Sequence, residues 1–428
     1  MLTLLFALGY GTYFYFHDTA APATQLSPNS GSITKKTPIT LTLNDEASML
    51  AHVTVLLIQD GKTVEILNKE YPENTPAARE QIDLSKQFLK DGLLTLQITS
   101  RDRSIYHFGD GNSATTSFQL LRDTRPPVIS ILSRAHNLTV GGSGIVAYSI
   151  GEVVENSGVQ IGDYFFPGHQ QLSGDYLCLF SFPYNADPEE IPRVIATDEA
   201  GNQGIGGIYY RLRQPKFIVD QIKIDDRFLT NKMPQFQDQF PQAETPLEVF
   251  LSVNRTLRPQ NRAWLSDVAA MTSDSFVWSK SFLRQPGAAN RANFGDHRDY
   301  IYQGKKIDQQ THLGIDLASI ARAEVPATNN GTVVYTDFMG IYGQCIIIDH
   351  GLGLQTLYAH LSTMAVEVGD IVERGQIIGR TGATGLAGGD HLHYGVIVGG
   401  VPVNPIEWWD KNWVRNNITS KLQLSSEQ

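Results

Sequence analysis

Short runs in which apolar and polar residues alternate, each closed by a glycine-containing turn, recur along most of this chain and restrict it to β-rich folds. "TPITLTLND", "AHVTVLLIQDGKTVEIL", "DGLLTLQITSRD" and "ATTSFQLLRD" follow one another between residues 37 and 123. Within them, "QDGKT" carries the Asp-Gly signal of a two-residue hairpin. The pattern returns from about residue 281 in "EVPATNNGTVVYTD", "GQCIIIDHG", "LQTLYAHLS", "GQIIGRTG" and "HLHYGVIVGG". Helix-type periodicity is scarce outside residues 214–280, where "KMPQFQDQFPQAETPLEVFLSVNRTLRPQNRAWLSDVAAM" is richer in helix formers.

These signals divide the 428 residues into successive parts. Several strands at regular spacing predict a β-sandwich over residues 27–123. The Pro-Pro of "TRPPVISIL" opens a second sandwich at 124–213. Its late segment, "IPRVIATDEAGNQGIGGIYYRLR", resembles the last strands of bacterial immunoglobulin-like domains. Residues 214–280 read as a connector with one or two short helices, residues 281–410 as a further β domain, and residues 411–428 as a polar tail. No tandem repeat stands out.

The net charge of −10 argues against a nucleic-acid or anionic-membrane footprint. Two cysteines, Cys178 and Cys345, lie too far apart in sequence to suggest a disulfide framework, and they read as small buried apolar residues. Any zinc site must therefore use histidine and carboxylate ligands. The first sixteen residues are uncharged and end in Tyr13, Phe14, Tyr15 and Phe16. Residues 1–18 read as an export signal or an uncleaved membrane anchor, with a buried first strand as the alternative. Either export reading places the rest of the chain outside the cytoplasm, in the periplasm or cell envelope, and the anchor reading holds it to the inner membrane.

Six of the eleven histidines fall between residues 297 and 393. His391 and His393 are two apart in "GGDHLHYG". In a strand they share one face, about 6–7 Å apart at the backbone. Alone, this pair fits a ligand with a neighbour, or two half-exposed residues on a solvent face. In "THLGIDLAS", His312 and Asp316 are four apart, about 13 Å in an extended strand, but Gly314 lets the chain bend. His360, in the apolar run "TLYAHLS", would alone be a hydrogen-bonded core residue. Together, His, Asp and His leave a fourth coordination position open, as a catalytic zinc requires, with two more histidines for proton transfer or oxyanion contact. No "HExxH" occurs, which excludes a helical zinc protease with a glutamate base.

Residues 281–410 resemble the lysostaphin-type, or LytM-like, zinc metalloendopeptidases of peptidoglycan. The resemblance runs in order through "FGDHRDY", "HLGIDLA", "VPATNNGTVVY", "GIYGQCIIIDHGLGLQTLYAHLS", "VEVGDIVERGQIIGRTGATGLAGGDHLHYGV" and "VNPIEWW". It implies one zinc per chain held by His312, Asp316 and His393, with His360 and His391 as catalytic groups beside it. It also implies an antiparallel β domain of the duplicated hybrid motif type with a groove across one sheet, and a substrate in the cross-linking peptides of peptidoglycan. The chain departs from the family at Asp390, where a proline commonly stands, and at Arg298, one position later than the usual arginine. Arg298, His297 and His350 are read as structural. The alternative within the resemblance is a non-catalytic regulator that activates another wall hydrolase; a further one is an adhesin using the sandwiches. The immunoglobulin-like parts would be spacers or wall-facing modules.

Overall fold

The structure is a computed structural model and describes residues 11–13 and 15–422. The expected N-terminal anchor or signal lies mostly outside this range. Among the described residues, no helix is long and apolar enough to cross a membrane. The fold is mostly β. By packing, the chain forms two compact units: one holds residues through Pro127 with 153–155 and 197–204, and the other holds 128–152, 156–196 and 205–428.

The first unit has a three-stranded sheet (Ala23–Ser27, Ile39–Asn44, Ala77–Ile82) and a five-stranded one built on Leu50–Gln59 and Gly92–Asp102. Alternate residues of both sheets, among them Leu41, Leu43, Val53, Val55, Leu96 and Ile98, form one core. The hairpin at Asp60-Gly61 has φ of 51° and 73° at its two central residues. This is the left-handed pair that matches strand twist, and the Asp-Gly dipeptide tolerates it.

In the second unit, residues expected to form separate domains share one core. Ser143–Ile150 pairs with Tyr176–Ser181, and Asn156–Ile161 with Tyr164–Pro167. Val146, Tyr148 and Phe180 from these strands belong to the same buried cluster as Leu313, Ile348, Tyr358 and Trp408. Polar contacts close the seam. Asn404 donates its backbone N–H to the Gly141 carbonyl at 2.8 Å. Trp408 Nε1 donates to Ser143 Oγ at 3.2 Å, and Ser143 N–H donates to Glu407 Oε2 at 2.8 Å. Residues 128–152 and 156–196 thus pack as a structural wall of the C-terminal domain, where the sequence suggested spacers or wall-facing modules.

Glu407 makes this seam sensitive to pH. Burial pushes its carboxyl up to about 8, against the opposing pull of the bonds from Ser143 and Thr139. Above about pH 4.5 an unfolded glutamate has released its proton, whereas the folded one keeps it until about 8. The folded state therefore binds one more proton in that window, and stability falls as pH rises through it, by up to about 1.4 kcal/mol per pH unit. Glu407→Gln is expected to flatten this decline in thermal melts taken at pH 5 and pH 8. A variant with the wild-type slope would remove Glu407 from the account.

The stretch from 214 to 280 is more than a connector. Val219–Ile224 (β1) pairs in parallel with His297–Tyr302, a strand of the next domain. Three helices follow: Asp226–Lys232 (α1), Pro246–Ser252 (α2) and Arg258–Ala269 (α3). Their ends are written locally. Asp225 caps α1 by accepting from Phe228 N–H, and Thr245 with Glu248 forms a capping box at α2, where Pro246 holds the first helical position. Leu229, Phe236, Phe250 and Leu265 then bury against Cys345, Ile347 and Ala359 of the following sheet.

That sheet has eight strands. We label the ones used here β2 (Ala289–Ala292), β3 (Ile315–Ala318), β4 (Gly331–Met339), β5 (Gly343–Asp349), β6 (Leu354–Leu361), β7 (Ile371–Val372) and β8 (Leu392–Val398). Their order is β2-β3-β8-β6-β5-β4-β7, with Val401–Val403 also paired to β8. Residues 411–422, expected as part of a polar tail, form helical turns. Val414 and Ile418, one turn apart, are buried, as is Lys421. Two apolar residues at i and i+4 suffice to seat so short a helix.

Candidate metal centre and active site

The central strands of this sheet bring the sequence-chosen residues together. In the register, Asp316 on β3 lies opposite His393 on β8, and His393 lies opposite Ala359 on β6. Direct partners share a face, and so do His391 and His393 by period two.

His360 follows Ala359 and by simple alternation would face away. Between the pairs Gln344–Leu361 and Ile346–Tyr358, however, β6 carries one residue more than β5. This bulge sits at His360, whose φ of 62° is the left-handed region uncommon for a non-glycine residue. A bulge re-aims a side chain, and strained backbone collects at functional sites. Here His360 turns onto the histidine face, with ring centroids 4.8 Å from His391 and 5.7 Å from His393.

Three atoms converge at the centre. His312 Nε2 lies 3.0 Å from Asp316 Oδ1 and 3.1 Å from His393 Nδ1, and His393 Nδ1 lies 2.9 Å from Asp316 Oδ1. His312 does not reach Asp316 along an extended strand. It precedes β3, and its backbone N–H is held by the Asp296 carbonyl at 2.9 Å. Gly314 matters for another reason than bending: a Cβ there would meet His393 Cε1 and Nε2 at 2.5 Å. Gly314→Ala is therefore expected to rotate the His393 ring and weaken metal binding by at least about 10–100-fold, the usual effect of disturbing a ligand's support. Competition with a chromogenic chelator measures this, and unchanged affinity would refute it.

The protonation pattern suits a cation. His312 Nδ1 donates to the Asn293 carbonyl at 2.9 Å, which turns Nε2 to the centre. Nε2 faces a carboxylate oxygen and a second imidazole nitrogen, an arrangement a positive ion between them would stabilise. His393 Nε2 is buried with no hydrogen-bond partner. Burial lowers the His393 pKa to about 4, so the ring is neutral, as a ligand must be. Burial opposes ionisation of Asp316, but the surrounding histidines outweigh it and hold its carboxyl well below the usual range. The donor set, two imidazoles and one carboxylate, is that of zinc sites with an open fourth position.

His360 and His391 flank this centre with matched anchoring. His360 Nδ1 donates to the Thr384 carbonyl at 2.9 Å, and His391 Nδ1 to the Gly389 carbonyl at 2.8 Å. Each bond anchors its ring through Nδ1 and presents Nε2 to the groove. His391 Nε2 lies 3.5 Å from Asp316 Oδ1. His350, read as structural, is buried with Nδ1 2.6 Å from the Asn330 carbonyl and Nε2 2.8 Å from Thr356 Oγ1. His297 packs its edge on Phe217 with Nδ1 3.3 Å from Thr311 Oγ1.

Arg298 differs from its sequence reading as merely structural. Its Nη2 donates to Asp316 Oδ2 at 2.8 Å, which holds Oδ1 towards the histidines. The displaced arginine of "FGDHRDY" was the available signal. Two further groove residues, Tyr342 and Arg258, were not singled out in the sequence. Tyr342 is buried with its ring 5.6 Å from that of His393.

Residues 310–405 match the model of peptidase family M23. Over 95 residues the chain is 41% identical to DD-carboxypeptidase/endopeptidase Mpg of Neisseria meningitidis serogroup B, and over 96 residues 42% identical to peptidoglycan DD-endopeptidase ShyA of Vibrio cholerae. Each match covers 22% of this chain and 22% of the relative, so the chain spans about a fifth of the length of these relatives. A crystal structure described as a putative peptidase M23 from Pseudomonas aeruginosa aligns over 63% of this chain and 93% of its own, with 18% identity and a TM-score of 0.38. The match to the family model encloses all five residues of the centre, and the chain therefore carries a peptidase family M23 domain at its C-terminal end.

Proposed function

We propose that this protein is a zinc metalloendopeptidase that hydrolyses the peptide cross-links of bacterial peptidoglycan, with His312, Asp316 and His393 as the metal ligands. The observation that carries the reading is the convergence of His312 Nε2, Asp316 Oδ1 and His393 Nδ1 in one groove beside two further histidines, His360 and His391, each anchored through Nδ1. A pure regulator has no use for that second pair. Bound zinc supplies Lewis-acid polarisation and lowers the pKa of water to near 7.

The chain's own groups do the rest. Nε2 of His360 or His391 accepts the proton of the attacking water. A ring that has taken a proton becomes a donor, so the pair also serves the oxyanion and returns the proton to the leaving amine. Arg298 keeps Asp316 oriented. A substrate in the cell wall lies outside the cytoplasm, in keeping with the uncharged apolar start of the sequence.

The test is digestion of purified sacculi by the full chain followed by muropeptide analysis. Cross-linked dimers are expected to fall and monomers to rise. No change in the dimer fraction, alongside activation of a separate wall hydrolase, would establish the regulatory alternative instead.

A further inference from the structure

The groove holds more positive charge than its metal chemistry uses. Arg258 and Arg298 line it together with Tyr300, Tyr342 and the histidines. Arg258 comes from outside the family match, at the start of α3. It follows a single wide helical turn, Val253–Leu257, with π-type bonding. Such turns often mark functional positions. Here the turn sets Asn254 and Arg258 side by side: Arg258 Nε and Nη2 both donate to Asn254 Oδ1, at 3.2 and 3.0 Å. Asn254 itself is fully buried. Arg258 is thus held rigid by a neutral amide.

Arg298 Nη2 is used on Asp316, but its Nε is buried with no partner. A third guanidinium, Arg262 one turn further along α3, donates to the Thr311 carbonyl. Among the described residues, the only carboxylate within ion-pair distance of these three is Asp316, which the three histidines already share. Burial, then the charges of Arg262 and Arg298, push the Arg258 guanidinium below its ordinary value, against the pull of Tyr300 and Tyr342. The guanidinium still stays charged at any working pH. A planar fork with free donors, fixed beside unmet positive charge, is suited to a carboxylate.

We propose that Arg258 and Arg298 form a carboxylate subsite of the groove, which selects peptides bearing a free carboxylate on the residue that flanks the scissile bond. The proposal rests on the peptidase reading above. It makes Arg258 a specificity residue supplied by the helical segment upstream of the M23 match. The carboxylate is either the C-terminus of a stem peptide or the side-chain carboxylate of a diamino acid in the cross-link.

The zinc-loaded full chain is to be assayed on two substrate pairs, a cross-linked dimer with its diamino-acid carboxylate free or amidated, and a pentapeptide with a C-terminal acid or amide. In at least one pair, kcat/KM is expected to be about 10–100-fold higher for the acid, the usual range for a hydrogen bond to a charged group. The pair that discriminates identifies the source of the carboxylate. Arg258→Met is expected to raise KM for that acid about tenfold or more with little change in kcat, bringing the ratio towards one, and Arg258→Lys to restore part of it. Calorimetry of the metal-free protein with the same peptides gives a second readout: the acid is expected to bind more tightly than the amide, and the difference to vanish in Arg258→Met. Wild-type protein that cuts and binds acid and amide equally, or a folded Arg258→Met that keeps the full preference, overturns the subsite. If wild-type protein cuts neither, the peptidase reading fails, and the binding comparison alone decides the subsite.

Discussion

Replacing His393 with alanine is expected to lower bound zinc from about one per chain to nearly none and to abolish peptide cleavage. His393 Nδ1 sits 2.9 Å from Asp316 Oδ1 and 3.1 Å from His312 Nε2, so its removal takes away one of three ligand atoms. Disturbing even an outer partner of a ligand costs about 10–100-fold in metal affinity, and losing a ligand costs more. The two-sheet core of the first unit contains no part of this centre, so its strand signal in far-ultraviolet circular dichroism should persist. Metal analysis of the purified variant gives the answer. Zinc at the wild-type level would show that His393 is not a ligand.

The second large effect separates binding from chemistry. His360→Ala and His391→Ala are each expected to keep zinc at the wild-type level while kcat falls about 10²–10⁴-fold, the usual contribution of a positioned acid or base. Neither Nε2 joins the three-atom cluster, yet both open on the same groove. His360→Ala also relieves no bulge, because the extra residue in β6 remains. The two losses should not add in the double variant if the pair handles one proton. Wild-type turnover in either single variant would remove that residue from the mechanism.

How much of the site was legible in the sequence depends on how local its geometry is. That His391 and His393 share a face follows from strand period alone, and the structure keeps them on one face. His312 and Asp316 lie together in the structure, but extended-strand spacing misplaces them, because His312 precedes the strand and the loop folds it back. His360 could be placed only by resemblance: its facing depends on a bulge set by register with β5, which sequence does not display. Arg298 was passed over because its partner, Asp316, lies across an intervening strand and turn.

The helical segment was harder still. Its helix formers were visible, but the sequence contains no sign that α1 to α3 would bury Leu229, Phe250 and Leu265 against the sheet and carry Arg258 to the groove. The edge near 214 was hard to read for a related reason. The Pro-Pro at 126–127 and the change in composition near 214 mark changes of local pattern. Packing ignores the second: Ser143, Glu407 and Trp408 tie both sides into one core.

The most direct measurement is zinc add-back. Full-length protein stripped with a chelator and dialysed is mixed with a purified cross-linked muropeptide dimer while zinc is titrated in. The account predicts no cleavage at the start, a rise in rate up to about one equivalent of zinc per chain, and a plateau beyond it, with no such rise in His393→Ala. Cleavage by the stripped protein at the restored rate, or no cleavage at any zinc level by protein that binds one equivalent, would contradict it.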